Sequence, residues 1–209
     1  MRNYLFDFDG TLVDSMPHFA SIILGVLDEF GISYPDDIIK TVTPLGIPGT
    51  ARYFIEMGVP LSVEELTHTI IFNLAAAYET SITAKETVIE TLRELKARGC
   101  SLNILTASPH TSLDPCLRRL GIFDLFQNVW SSDDFGTTKA DPEIYRMAAE
   151  KMGVPISEVT FLDDNLGADK TAKAAGCRVI GVYDDSSREY EGEMRSVCDG
   201  YIYKFSELL

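Results

Sequence analysis

Tyr4-Leu5-Phe6-Asp7-Phe8-Asp9-Gly10-Thr11 is the stretch on which the fold turns. Three apolar residues run into an acid, a second acid comes two residues later, and a glycine and a threonine come next. This reads as a short buried strand that ends abruptly in polar groups. Gly10 permits the tight bend that such an ending requires. A carboxylate at a strand end can attack phosphorus and form an acyl phosphate, which splits a hydrolysis into two easier steps. Asp7 is the candidate for that nucleophile. Asp9 is the candidate acid that protonates a leaving oxygen and then activates water. The free N–H groups of the turn can hold phosphate oxygens.

Downstream, the pattern is first helical and then alternating. Phe19, Ile22, Ile23, Val26, Leu27 and Phe30 recur at helical spacing, and Gly31 stops the run. Leu45–Thr50 reads as a glycine-rich loop, Thr50 to Met57 as a short helix, and Ser62 with Glu65 as a capping box for a helix to about Tyr78. Strands are expected at Leu102–Leu105, Asn128–Trp130, Val159–Leu162, Arg178–Val182 and Tyr201–Tyr203. Helices fall between them, at about Val88–Arg98, at about Leu113–Leu120, from Asp141 to Gly153, and up to Gly176. Such alternation predicts an α/β protein with a doubly wound, Rossmann-like parallel sheet. The segment 17–80 breaks the alternation and is expected to be an inserted all-helical cap. The core would then comprise residues 1–16 and 81–209.

In sheets of this kind the site lies beyond the carboxyl ends of the strands. Two further strand ends supply polar groups there, and a helix start adds a lysine. The Thr106 hydroxyl and the next backbone N–H, that of Ala107, can bind a phosphate oxygen, although the hydroxyl can instead cap the following helix. Lys139 stands just before a helix start marked by Asp141 and Pro142. It can neutralise a transferred phosphoryl group or remain a solvated surface lysine. Asp163-Asp164-Asn165 follows an apolar strand, and Asp169 lies five residues beyond Asp164. Adjacent acids at a strand end suit a hard divalent cation such as Mg2+, which takes oxygen ligands. Asp164 or Asn165 can equally cap the Ala-rich helix. Without a cation, Asp7, Asp9, Asp163 and Asp164 on one sheet edge would repel one another and hold protons. The lack of a His or Cys cluster argues against zinc.

Composition narrows the field. Over 209 residues the formal charge is -14, a surface that repels nucleic-acid phosphates. Apolar residues make up 45% and charged residues 24%, as in soluble globular proteins. No apolar run is long enough to span a bilayer, and the first residues turn acidic too soon for a signal peptide. The four cysteines show no CxxC pair and read as reduced thiols. The expectation is a cytoplasmic protein that acts on a small phosphorylated metabolite, without nucleic acid or membrane.

Across nearly the whole chain these motifs resemble the haloacid dehalogenase superfamily, in its phosphatase branch with a helical cap (phosphoglycolate phosphatase and β-phosphoglucomutase-like proteins). Asp7-Phe8-Asp9-Gly10-Thr11-Leu12-Val13-Asp14-Ser15 carries the resemblance most specifically. It implies a Mg2+-dependent phosphatase working through a phospho-aspartate on Asp7. Asp9 would be general acid and base, and the metal would sit on Asp7, the Asp9 carbonyl and Asp164. Thr106 and Lys139 match the phosphate-binding motifs, and Asp163 and Asp169 are candidates to support the metal. Gly46 and Arg52 are candidates for substrate specificity in the cap. The chain departs from the family pattern in Ala107, Ala140 and Asp163, where Asn, Pro and Gly are usual, and in Glu86-Thr87, where Pro-Gly is usual. Two alternatives stand beside the phosphatase. The β-phosphoglucomutase type of mutase carries a His five residues after the acid matching Asp14, and Phe19 occupies that position here, with His18 beside it. A phosphate-ligand-binding protein without activity is the other.

Overall fold

The computed structural model describes residues 2–209; Met1, with which the expected core segment begins, lies outside the described residues. The chain divides into two compact units, one built from the chain up to Asp14 together with Thr83–Leu209, the other from Ser15–Ile82.

The first unit is the α/β sheet that the alternation predicts. After β1 (Asn3–Phe6) come α5 (Val88–Ala97) and β2 (Ser101–Thr106), then α6 (His110–Arg119) and β3 (Asn128–Ser131). They are followed by α7 (Pro142–Met152), β4 (Val159–Asp163), α8 (Leu166–Ala175), β5 (Arg178–Val182), α9 (Glu191–Val197) and β6 (Gly200–Ile202). The strands pair in the order β3-β2-β1-β4-β5-β6, every pair parallel. β1 is thus central, flanked by β2 and β4, and all four of its residues are buried. Side chains along a strand alternate between faces. Leu5 joins Ile144, Tyr145, Ala148, Phe161, Ala168 and Ala172 in the core on the α7–α8 side. Phe6 instead packs with Tyr4, Phe126 and Phe205. At roughly 1.5–3 kcal/mol for each large apolar side chain fully buried, this double burial makes β1 a rigid base for the acidic turn at its end.

Two helices end where glycine allows a left-handed residue, Gly153 after α7 and Gly176 after α8. Thr87, at the N-cap of α5, is the one non-glycine with positive φ (65°) among the described residues, at a position where glycine is usual in the resembling family. Helix α6 begins at His110, before the expected Leu113, and carries Pro115 in its interior.

The second unit is purely helical: α1 (Met16–Glu29), α2 (Ile38–Val42), α3 (Gly46–Glu56) and α4 (Val63–Thr80). α1 and α3 each pack against α4, with Ile23, Leu27, Phe54, Leu66 and Ile70 fully buried. The capping box at α4 forms as read: Ser62 Oγ accepts from Glu65 N at 3.2 Å, and Glu65 Oε2 accepts from Ser62 N at 2.8 Å. The expected loop Leu45–Thr50 is not a loop. A 3-10 helix, Thr43–Leu45, runs into α3, whose first turn takes in Gly46, Pro48 and Gly49. Proline is tolerated there because the first-turn N–H groups have no partner within the helix. The Thr50 hydroxyl donates back to Gly46 O at 3.0 Å. No helix is long and apolar enough to cross a membrane among the described residues.

Candidate active site

The polar ends of β1, β2 and β4, and the loop after β3, meet on one edge of the sheet. Asp7 continues the β1 ladder by donating its N–H to Leu162 O at 2.8 Å, so its position is set by backbone pairing. Its carboxylate is buried and accepts from Lys139 Nζ at 2.6 Å through Oδ1. The same ammonium donates to Asp163 Oδ2 at 2.7 Å. Lys139 is therefore no surface lysine: its side chain is 15% exposed. It is held there by Tyr145, whose hydroxyl donates to the Lys139 carbonyl at 3.1 Å.

Oxygen atoms of Asp7, Asp163 and Asp164 all lie within 4.8 Å of one another. Burial raises the Asp7 pKa to about 7, with Asp163 and Asp9 adding to the rise and Lys139 opposing it. Burial also pushes Asp164 well above the carboxylate range, reinforced by Asp163, Asp7 and Asp184 and opposed by Thr11. Burial works against the Lys139 charge, but the attraction of Asp163 and Asp7 prevails and holds its pKa well above normal. One lysine against three clustered carboxylates leaves negative charge in excess, and the donors are all oxygens. A hard cation fits that deficit and that donor set.

Asn165 resolves the competing use of Asp164 as a helix cap. Asn165 Oδ1 accepts from Gly167 N at 2.9 Å and Ala168 N at 3.1 Å, which leaves Asp164 to the cluster. Asp164 Oδ1 instead accepts from the buried Thr11 hydroxyl at 2.9 Å. Asp163 Oδ1 accepts from Asn165 N at 2.8 Å, so both of its oxygens are engaged. Asp169 is not part of the trio. It is fully buried on the first turn of α8, and its Oδ2 accepts from the Cys198 thiol at 3.2 Å. Burial raises it to about 8, with Asp163 contributing.

Asp9 is half-buried, and its Oδ2 accepts from the Ser108 hydroxyl. That bond joins the turn after β1 to the turn after β2. Thr106 is buried at the end of β2. Its Oγ1 accepts from Ser108 N at 3.1 Å, and its carbonyl accepts from the Ser132 hydroxyl at 3.1 Å. The Thr106 hydroxyl thus shapes its own turn and keeps its proton to donate. Ala107 is exposed next to it. Gly46 and Arg52 lie on α3, in the helical unit; Gly46 has φ +65° and Arg52 is exposed.

Sequence reasoning passed over Thr11 and Ser108. Both stand inside quoted motifs, and a hydroxyl two residues from a candidate acid or a candidate phosphate ligand was the signal present. It also passed over Lys85 and Asp184, for which no local pattern exists.

The chain matches the family model described as haloacid dehalogenase-like hydrolase over residues 1–176. Pyrophosphatase PpaX of Bacillus velezensis is 31% identical over 180 residues, which cover 85% of this chain and 81% of that protein. A phosphoglycolate phosphatase of Haemophilus influenzae is 28% identical over 186 residues, covering 85% and 83%. Among solved structures, CbbY from Rhodobacter sphaeroides in complex with phosphate superposes with a TM-score of 0.80 at 22% identity, covering 100% of this chain and 96% of that one. At that identity the likeness speaks for the fold.

Proposed function

Because the chain belongs to the haloacid dehalogenase-like hydrolases, we propose that it is a Mg2+-dependent phosphatase that hydrolyses small phosphomonoesters through a phospho-aspartate on Asp7. The observation that carries this reading is the 2.6 Å contact of Asp7 with Lys139 at the buried end of β1. A carboxylate so placed is fixed in direction, and its partner stays cationic. The names of the relatives, a pyrophosphatase and a phosphoglycolate phosphatase, agree with a small phosphorylated substrate.

Asp7 attacks phosphorus, and the bond from phosphorus to the ester oxygen breaks as the bond to the Asp7 oxygen forms. Asp9 gives its proton to the departing alkoxide. Now a carboxylate, Asp9 takes a proton from water as that water attacks the acyl phosphate. The bond from phosphorus to the Asp7 oxygen breaks, which frees the Asp7 carboxylate and inorganic phosphate and leaves Asp9 protonated by that water, ready for the next turnover. Ser108, hydrogen-bonded to Asp9, holds it beside the strand end. Lys139 balances charge on Asp7 and on the phosphoryl oxygens, and the Thr106 hydroxyl and the Ala107 N–H are donors for those oxygens. Asp7, the Asp9 carbonyl and Asp164 would hold Mg2+, with Asp163 and Asp169 behind them. When bound, the metal offsets the excess carboxylate charge and polarises the phosphoryl group.

The helical unit serves as a lid in this reading. It enters directly after the nucleophile turn and returns at Thr83, and a lid there would exclude water and select small esters. Gly46 and Arg52 on α3 are the proposed specificity residues. Arg52→Ala should then change the kcat/KM values of different esters by different factors.

The test of the whole proposal is turnover of an aryl phosphate with Mg2+, repeated after exhaustive chelation. Activity that survives chelation removes the metal from the mechanism. No turnover of any ester in a panel of phosphorylated metabolites favours a non-catalytic phosphate binder.

A further inference from the structure

Lys85 lies outside every motif of the family resemblance, yet its side chain is only 18% exposed. Its ammonium has three protons, and all three are used. They go to Gly10 O at 2.6 Å, to Tyr183 O at 2.6 Å and to Asp184 Oδ2 at 2.9 Å. Asp184 is buried after the end of β5, and its other oxygen accepts from Ser186 N at 3.0 Å and from the Ser186 hydroxyl at 2.6 Å. Neither member of the pair has freedom to turn away.

The backbone of Lys85 is fixed as firmly. Lys85 N donates to Leu12 O at 3.0 Å, Asp14 N donates to Thr83 O at 2.9 Å, and Val13 bridges Ala84 in antiparallel sense. Where the chain leaves the α/β unit and where it returns are thus tied into one short ribbon. From that ribbon Lys85 reaches the carbonyl of Gly10, the residue of the nucleophile turn with the fewest conformational limits of its own. Gly10 has φ +72°, a region it can enter and leave freely. A cation on its carbonyl selects one orientation of the peptide between Gly10 and Thr11. That orientation seats the Thr11 hydroxyl on Asp164 at 2.9 Å and sets the preceding residue, Asp9.

We propose that Lys85, charge-balanced by Asp184, is a positioning residue that clamps the Gly10 carbonyl and so holds Asp9 and Thr11–Asp164 in working geometry. This rests on the phosphatase reading of the same site. Loss of the clamp loosens placement of groups that act on bound phosphate, and misplacement of about 1 Å can cost roughly 10²-fold in rate. It leaves alone the groups that bind the rest of the substrate, so kcat and not KM should carry the effect.

Two variants separate positioning from plain stability. Lys85→Met removes the clamp but strands the buried charge of Asp184, which destabilises the fold in its own right. The double variant Lys85→Met/Asp184→Asn leaves no unpaired charge and should melt near the wild-type temperature. With an aryl phosphate, both should lose about 10- to 100-fold in kcat with KM nearly unchanged. Isothermal titration calorimetry with Mg2+ alone should show weaker binding by both. A double variant with wild-type kcat and wild-type Mg2+ affinity overturns the clamp and leaves the phosphatase reading intact. A wild-type protein that neither turns over phosphate esters nor binds Mg2+ overturns that reading, and the clamp falls with it.

Discussion

Asp164 occupies the space that a side chain on Gly10 would need: a Cβ built there stands 2.4 Å from Asp164 Oδ2. The turn after β1 and the acid after β4 are therefore fitted to each other at the closest approach backbone allows. Gly10→Ala faces two penalties, the left-handed φ of +72° and the collision with a buried carboxylate. Together they should cost about 2–4 kcal/mol of stability, read by urea unfolding. Mg2+ binding should weaken as well, because Asp164 must move. An alanine variant with wild-type stability and metal affinity would show that the turn and Asp164 are not mutually fitted.

Asp9→Asn keeps the size of the side chain and removes its proton chemistry. Rapid-quench kinetics should show both phosphorylation of the enzyme and its hydrolysis slowed by ~10²-fold or more, as expected for a general acid–base group. If both steps run at wild-type rates, Asp9 has no part in proton transfer.

Metal-free protein should lose stability as pH rises. Asp7 is raised to about 7 and Asp169 to about 8, each by burial first, against an unfolded value of about 3.9. A carboxyl whose folded pKa is raised contributes fully below its unfolded pKa and loses that contribution as pH climbs through the folded one. Melting temperatures in chelator should therefore fall between about pH 4 and pH 8. Mg2+ should restore the Asp7 part. The share of the Asp169 rise due to burial should persist with Mg2+, the share due to Asp163 and Asp7 should shrink, and both should vanish in Asp169→Asn. A flat profile in chelator would mean that the cluster is already charge-balanced.

The strand ends were legible because a central parallel strand needs no pattern beyond an unbroken apolar run. Tyr4–Phe6 is such a run, Val159–Leu162 is one interrupted only by Thr160, and the acid after each is conspicuous. Lys139 showed as a position before a helix start and as a match to the resembling family's lysine motif; its reach to Asp7, 132 residues away, is a product of the fold. Gly46–Thr50 misled because proline and glycine read as breakers, whereas the first turn of a helix accepts both. Lys85 and Asp184 lay beyond sequence reading altogether. They are 99 residues apart, and nothing local distinguishes a lysine saturated by carbonyls from one in solvent.

The proposed chemistry depends throughout on Asp7 forming a bond to phosphorus. The direct measurement is a rapid acid quench during turnover of an aryl phosphate with Mg2+. Borohydride reduction then converts any acyl phosphate to an alcohol, and the peptide containing residue 7 is read by mass spectrometry. A phospho-aspartate intermediate requires homoserine at position 7, at a level that rises within the first turnover, and none in Asp7→Asn, whose rate should be lower by at least about 10³-fold. Steady turnover with position 7 unmodified, or with the label on another carboxylate, would contradict it.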